Sequence, residues 1–401
     1  MNSRLALLHD YPFQKLVRLF ADLEAPAGKS AIKWSVGEPK HPAPGIVLDA
    51  VRANLALLSA YPSTKGLPTL RAAIAGWLTR RFQLAANSID PERHVLPVAG
   101  TREALFSIAQ AVVGGASGQQ PVVIMPNPFY QIYEGAALLA GAEPYYLNTT
   151  QDNGYRMDFS SVPAEILDRT ELVYVCSPGN PAGAVMQADD YRELLALADR
   201  HDFVVASDEC YSEIYFDENN PPVGLLQVAS DLGIDDYRRC LVFHSLSKRS
   251  NLPGLRSGFV AGDGNVMQDY LKYRTYHGAT LSNTAQEASI VAWNDEAHVA
   301  ENRAHYRAKF EAVLEILGPA MGATPPDAGF YLWPEVPISD EDFARGLFAG
   351  ENVTVLPGSY LSREAQGINP GHQHVRMALV APLDECIDAA QRVQHYMETI
   401  S

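Results

Sequence analysis

The sequence predicts an α/β fold: a mostly parallel sheet sandwiched by helices, followed by a smaller C-terminal α/β domain. Three observations carry this. From about residue 45 to residue 290, short apolar runs alternate with helical stretches of about ten to fifteen residues, the pattern of βαβ units. After about Asn283 the texture changes to one long helical stretch, several short elements and a last helix. The 401 residues are 47% hydrophobic and 19% charged, which supplies a sizeable core and excludes a disordered chain. The expected organisation is an N-terminal arm and part of the small domain over 1–44, a large domain over 45–290, and a small domain over 291–401.

In order, prolines at 12, 26, 39, 42 and 44 cut the arm into short pieces, with one amphipathic helix predicted from Phe13 to Leu23. A helix from Ile46 to Leu58, the loop Tyr61-Pro-Ser-Thr-Lys-Gly66 and a helix through Trp77 open the large domain. Strands are then predicted at His94–Val98, Pro121–Met125, Glu143–Leu147, Leu172–Cys176, Phe203–Ser207, Cys240–His244 and Ser257–Ala261. Helices begin at Thr101, at Tyr130 and near Ala188. Beyond Asn283 a helical stretch runs through His305 and Leu317. Short elements follow at Phe330–Trp333, Val353–Val355 and Val375–Val380, and a final helix follows Pro382.

Bulk properties exclude several classes. A net charge of -16 disfavours a nucleic-acid partner. Cys176, Cys210, Cys240 and Cys386 form no Cys-x-x-Cys pair, and no ligand cluster points to a metal. The N-terminus lacks the layout of a signal peptide, and no apolar stretch reaches about 18 residues, so a cytoplasmic protein is expected. Ala27-Gly28-Lys29-Ser30 ends like a P-loop, but Leu23 stands where its first glycine belongs. In Val260-Ala-Gly262-Asp-Gly264 a dinucleotide fingerprint fails at Met267.

The chemistry concentrates where strands end, which is where open parallel sheets bind ligands. Gly100 and Thr101 open a helix whose free N–H groups favour a phosphate, although Thr101 could equally be an ordinary cap. Tyr130 follows the second strand and offers a ring to a planar cofactor, or to the core. After the fourth strand comes Ser177-Pro-Gly-Asn180-Pro181, whose Asn-Pro bond is a candidate cis peptide. Asp208, followed by Tyr211, is either a helix cap or a partner for a cationic ring nitrogen. In Ser245-Leu-Ser-Lys-Arg-Ser-Asn-Leu-Pro-Gly-Leu-Arg256, Lys248 is the only lysine between Lys65 and Lys272. Either it is a solvated loop lysine, or it holds an aldehyde cofactor as a Schiff base while hydroxyls and Arg256 bind a phosphate.

This set, in this order and spacing, resembles the fold-type I pyridoxal-phosphate (PLP) aminotransferases from Gly37 to Arg376. The resemblance implies a seven-stranded, mostly parallel sheet in the large domain and a homodimer with its sites at the interface. It implies that Lys248 carries the cofactor, Asp208 pairs with the pyridine nitrogen, and Tyr211 and Asn180 hold the phenolic oxygen. Tyr130 would stack on the ring. Gly100, Thr101, Arg102, Ser245, Ser247 and Arg256 would hold the phosphate, with Tyr61 lent by the partner subunit. Arg376, the Gly37 N–H and Asn180 would bind the substrate, the first two at its α-carboxylate.

Within the family, Tyr11–Leu16, Ser247–Arg256, Tyr273–Gly278, Asn369-Pro-Gly and Val375–Leu379 resemble the N-succinyldiaminopimelate aminotransferases of lysine synthesis. Glutamate is then the donor and N-succinyl-2-amino-6-oxopimelate the acceptor. Three carboxylates on that acceptor call for further cations, for which Lys15, Arg18, Lys65, Arg274 and Arg363 are available, unless each is a solvated surface charge. Alternatives are an aspartate, aromatic or acetylornithine-like aminotransferase and a C-S β-lyase. The partner arginine of the aspartate enzymes is not evident in Gly278-Ala-Thr-Leu-Ser282. A regulator's effector domain would need a DNA-binding module, for which there is no room before Gly37.

Overall fold

The computed structural model describes residues 1–115 and 118–400. Its main sheet contains all seven predicted strands: β1 (Val95–Val98), β2 (Val122–Asn127), β3 (Glu143–Asn148), β4 (Thr170–Cys176), β5 (Val204–Asp208), β6 (Cys240–Ser245) and β7 (Gly258–Gly262). They lie in the order β1-β7-β6-β5-β4-β2-β3, and only β7 runs against the others. Alternate residues of one strand enter different cores. Val173 and Val175 of β4 face one apolar cluster, Leu172 and Tyr174 the other. Both faces are therefore covered, which explains why these strands read as unbroken apolar runs.

Register brings the chemical residues together. Cys176 pairs with Asp208, Asp208 with Phe243, and Ser245 with Gly258, so the carboxyl ends of β4, β5 and β6 are level. The helix Thr101–Val112 starts directly after β1, and the one-turn helix Leu246–Arg249 directly after β6.

A second core gathers Ile32 and Trp34 of the arm with Phe310, Val353, Val375 and Val393. Its strands are short. Ile32–Lys33 pairs in parallel with Val353–Thr354, and Val375–Ala378 lies between Leu356–Pro357 and Tyr331–Leu332. The arm's Asp22 also meets Arg345 at 2.8 Å.

Several boundaries differ from expectation for local reasons. The first helix spans Pro12–Leu19, because the chain turns at Phe20, whose ring stacks on Phe348 at 4.7 Å. The helix expected through Leu58 ends at Ala53, where Asn54 bonds back to the Ala50 carbonyl, and a 3₁₀ turn Leu55–Ser59 follows. The long helical stretch is two helices, Asn283–Asn294 and Ala297–Met321. Asp295 breaks the run and accepts from the His298 N–H at 3.0 Å.

Candidate active site

A cavity of about 850 Å³ opens at the carboxyl ends of the parallel strands. Of the residues the sequence singles out, Gly37, Thr101, Arg102, Tyr130, Asn180, Asp208, Tyr211, Ser245, Ser247, Lys248, Arg256 and Arg376 line it. Gly100 lies just behind, against Arg256.

Ser245 caps the one-turn helix by accepting from the Ser247 N–H at 3.1 Å, which projects Lys248 into the cavity. The Lys248 amine donates to the Gly37 carbonyl and lies 5.2 Å from the Phe330 ring centre. Burial holds its pKa down to about 8, and the Arg376 charge acts in the same direction. With roughly a tenth of it free base at neutral pH, this amine is far closer to nucleophilic than an exposed lysine.

Asp208 is buried and makes no ion pair among the described residues. Its carboxylate accepts from the Tyr133 hydroxyl at 2.7 Å and the Cys210 N–H at 3.2 Å. Burial raises its pKa, a cost that a cationic partner would remove. The structure corrects the expected helix after Asp208: Cys210 to Glu213 form turns, and no cap is needed. Tyr211 reaches the site through a turn, its hydroxyl 3.0 Å from that of Tyr331.

Arg376 is likewise buried without an ion pair. It donates to Asn180 Oδ1 at 2.9 Å and to the Ser35 carbonyl at 2.8 Å, while its Nε has no partner. The Asn180–Pro181 bond is cis, as are Asn127–Pro128 and Ser177–Pro178.

The opposite end is built for an anion. Gly100, at φ 89°, caps the helix Thr101–Val112, and a Cβ there would come 2.2 Å from Arg256 Nη2. The missing side chain lets the guanidinium rest against the helix N-terminus, where backbone N–H groups point outward. Thr101 is not the cap: its hydroxyl lies 3.1 Å from Cys210 Sγ. Arg256 donates to the Pro253 carbonyl and has no carboxylate partner among the described residues. Arg102 donates to the Tyr11 hydroxyl at 2.8 Å, drawing the arm over the cavity mouth.

A buried acid, a buried amine and an anion cradle around one cavity fit a planar, phosphorylated aldehyde with a basic ring nitrogen. Tyr130, its ring 5.7 Å from that of Tyr133, forms a wall.

Other expectations need correction. None of Lys15, Arg18, Lys65, Arg274 and Arg363 lines the cavity. Arg274 is held by Glu103 (2.9 Å), Arg363 by Glu134 (2.7 Å), Lys65 by Glu92 (2.8 Å), and Arg18 by Asp10. Lys15 lies over the Tyr360 ring. Two expectations stand unaltered: Gly37 lines the cavity with its carbonyl accepting from Lys248, which leaves its N–H role open, and Tyr61 is fully exposed outside its own chain's cavity, as a residue lent to a partner would be. Conversely, the cavity contains Tyr11, Glu38, Tyr133 and Tyr331, which sequence reasoning missed. Tyr133 had a usable signal, since it stands three residues after Tyr130 on one helical face.

The fold and this site define a PLP-dependent transferase. The profile of the class I and II aminotransferases matches residues 29–385, and the chain belongs to that PLP-dependent family. An aminotransferase from Neisseria meningitidis Z2491 superimposes with a TM-score of 0.93 at 47% identity, covering 98% of this chain and 99% of that one. Aminotransferase AspB from Helicobacter pylori 26695 does so at 0.88 and 34%, covering 98% and 99%. The LL-diaminopimelate aminotransferase of Syntrophobacter fumaroxidans is 30% identical over 400 residues, 98% of this chain and 97% of that one.

Proposed function

We propose that the chain transfers an amino group between glutamate and N-succinyl-2-amino-6-oxopimelate, a step of diaminopimelate and lysine synthesis. The observation that carries the reaction type is three charges without an ion-pair partner among the described residues, half-buried Lys248 and buried Asp208 and Arg376, around one cavity. The segments quoted above support the substrate, and relatives named for LL-diaminopimelate support the pathway. Those same names favour a second reading, in which the unacylated diaminopimelate is the substrate.

Bound PLP supplies an aldehyde and an electron-accepting ring. Lys248 would hold the aldehyde through its amine and would move a proton at the substrate Cα. Asp208 keeps the ring nitrogen protonated, and Tyr133 keeps Asp208 pointed at it. Asn180 and Tyr211 hold the phenolic oxygen, and Tyr130 stacks on the ring. Gly100, Thr101, Ser245, Ser247 and Arg256 hold the phosphate with the partner's Tyr61. Arg376, with its planar fork, and Gly37 take the α-carboxylate.

The test is an acceptor panel with glutamate as donor. Preferred turnover of N-succinyl-2-amino-6-oxopimelate supports the first reading and preference for the unacylated compound the second. Pyruvate and ammonia from cystathionine, without transamination, would overturn both.

A further inference from the structure

Tyr331 begins the strand Tyr331–Leu332 and is almost completely buried, yet it lines the cavity. Its hydroxyl lies 3.0 Å from that of Tyr211, and the Arg376 guanidinium sits 4.5 Å from its ring centre. It also fills the space beside Gly37, where a Cβ would come 2.1 Å from its oxygen. One ring thus touches the tyrosine assigned to the cofactor, the arginine assigned to the substrate, and the arm.

Each phenol has one proton to donate. If Tyr211 donated to Tyr331, only its lone pairs would face the phenolic oxygen of the cofactor, and two acceptors would repel. If Tyr331 donates, the Tyr211 proton remains for the cofactor. The Tyr331 hydroxyl makes no other hydrogen bond among the described residues, so nothing competes for its proton. We propose that Tyr331 is a positioning residue: its hydroxyl orients the Tyr211 proton toward the cofactor, and its ring seats Arg376 for the substrate carboxylate. This rests on the PLP reading above.

The two roles separate experimentally. In holoenzyme, Tyr331→Phe should raise the pKa of the visible cofactor–lysine chromophore by about 0.5 to 1 unit, the size of one net hydrogen bond. The shift should vanish in a Tyr211→Phe background, because the effect passes through that hydroxyl. KM for glutamate should rise more than kcat falls, from the loosened Arg376. An unchanged chromophore pKa in folded Tyr331→Phe protein, or an equal shift in both backgrounds, overturns the proposal. A lowered thermal midpoint with neither spectral shift nor KM change would mark a structural role and overturns it as well. Failure of the wild-type protein to form any chromophore would instead overturn the PLP reading.

Discussion

At the scale of residues, Lys248, Asp208 and Arg376 are charges withdrawn from solvent with no ion-pair partner among the described residues. The folded pKa of Lys248, about 8, lies below the ordinary 10.5, so burial favours the free base. Below about pH 8 the amine is mostly protonated and attacks slowly. The rate of PLP uptake by apoprotein should therefore rise with pH through a midpoint near 8 and level off above it; stopped-flow absorbance would show a midpoint near 10.5 if the amine were solvated. Asp208→Asn should act with opposite signs. It removes an uncompensated buried charge, so apoprotein gains stability, by about 1–3 kcal/mol in chemical denaturation. The holoenzyme should lose kcat, on the order of 100-fold, with the ring's counter-charge gone. Charges of this kind are legible in sequence because Lys248 and Asp208 interrupt or end apolar runs. Tyr331 was not, since an aromatic in an apolar stretch reads as core, and Tyr133 had only its spacing from Tyr130 to mark it. Arg274 and Arg363 misled because sequence shows a charge but not the carboxylate that holds it.

At the scale of elements, the anion cradle depends on one glycine. Gly100→Ala puts a Cβ against Arg256 Nη2 and a side chain at φ 89°, so something must shift. A loss of about 1–3 kcal/mol of stability is expected. Roughly tenfold weaker PLP binding, read by fluorescence titration, should accompany it. Gly114→Ala, near the far end of the same helix with open space at its Cβ position, should change neither by comparison. Six of the seven strands of the large sheet were legible because burial makes them largely apolar runs, whereas the edge strand β3 is only half-buried along most of its length. Helix ends were less so. The break at Asn54 depends on a back-bond to Ala50, and the break at Asp295 on a bond to His298, neither visible in hydrophobic periodicity.

At the scale of the whole molecule, we propose the division at residues 45 and 291, with the helix Ala297–Met321 shared. Its Asn302 donates to the Lys248 carbonyl, while its Phe310 enters the second core. Tyr61, fully exposed, joins a homodimer account only through the partner's site. Tyr61→Ala and Lys248→Ala homodimers should both be impaired. Mixed after unfolding and refolding together, they should regain activity, because hybrids rebuild one intact site; no gain would place Tyr61 outside the active site. The most direct measurement is borohydride reduction of the PLP-loaded protein followed by peptide mass analysis. Lys309 is an internal control, buried and also held to about pKa 8, but outside the cavity. Phosphopyridoxyl mass on the peptide containing Lys248 alone is the predicted result; the label on Lys309, or on no lysine, would contradict the account.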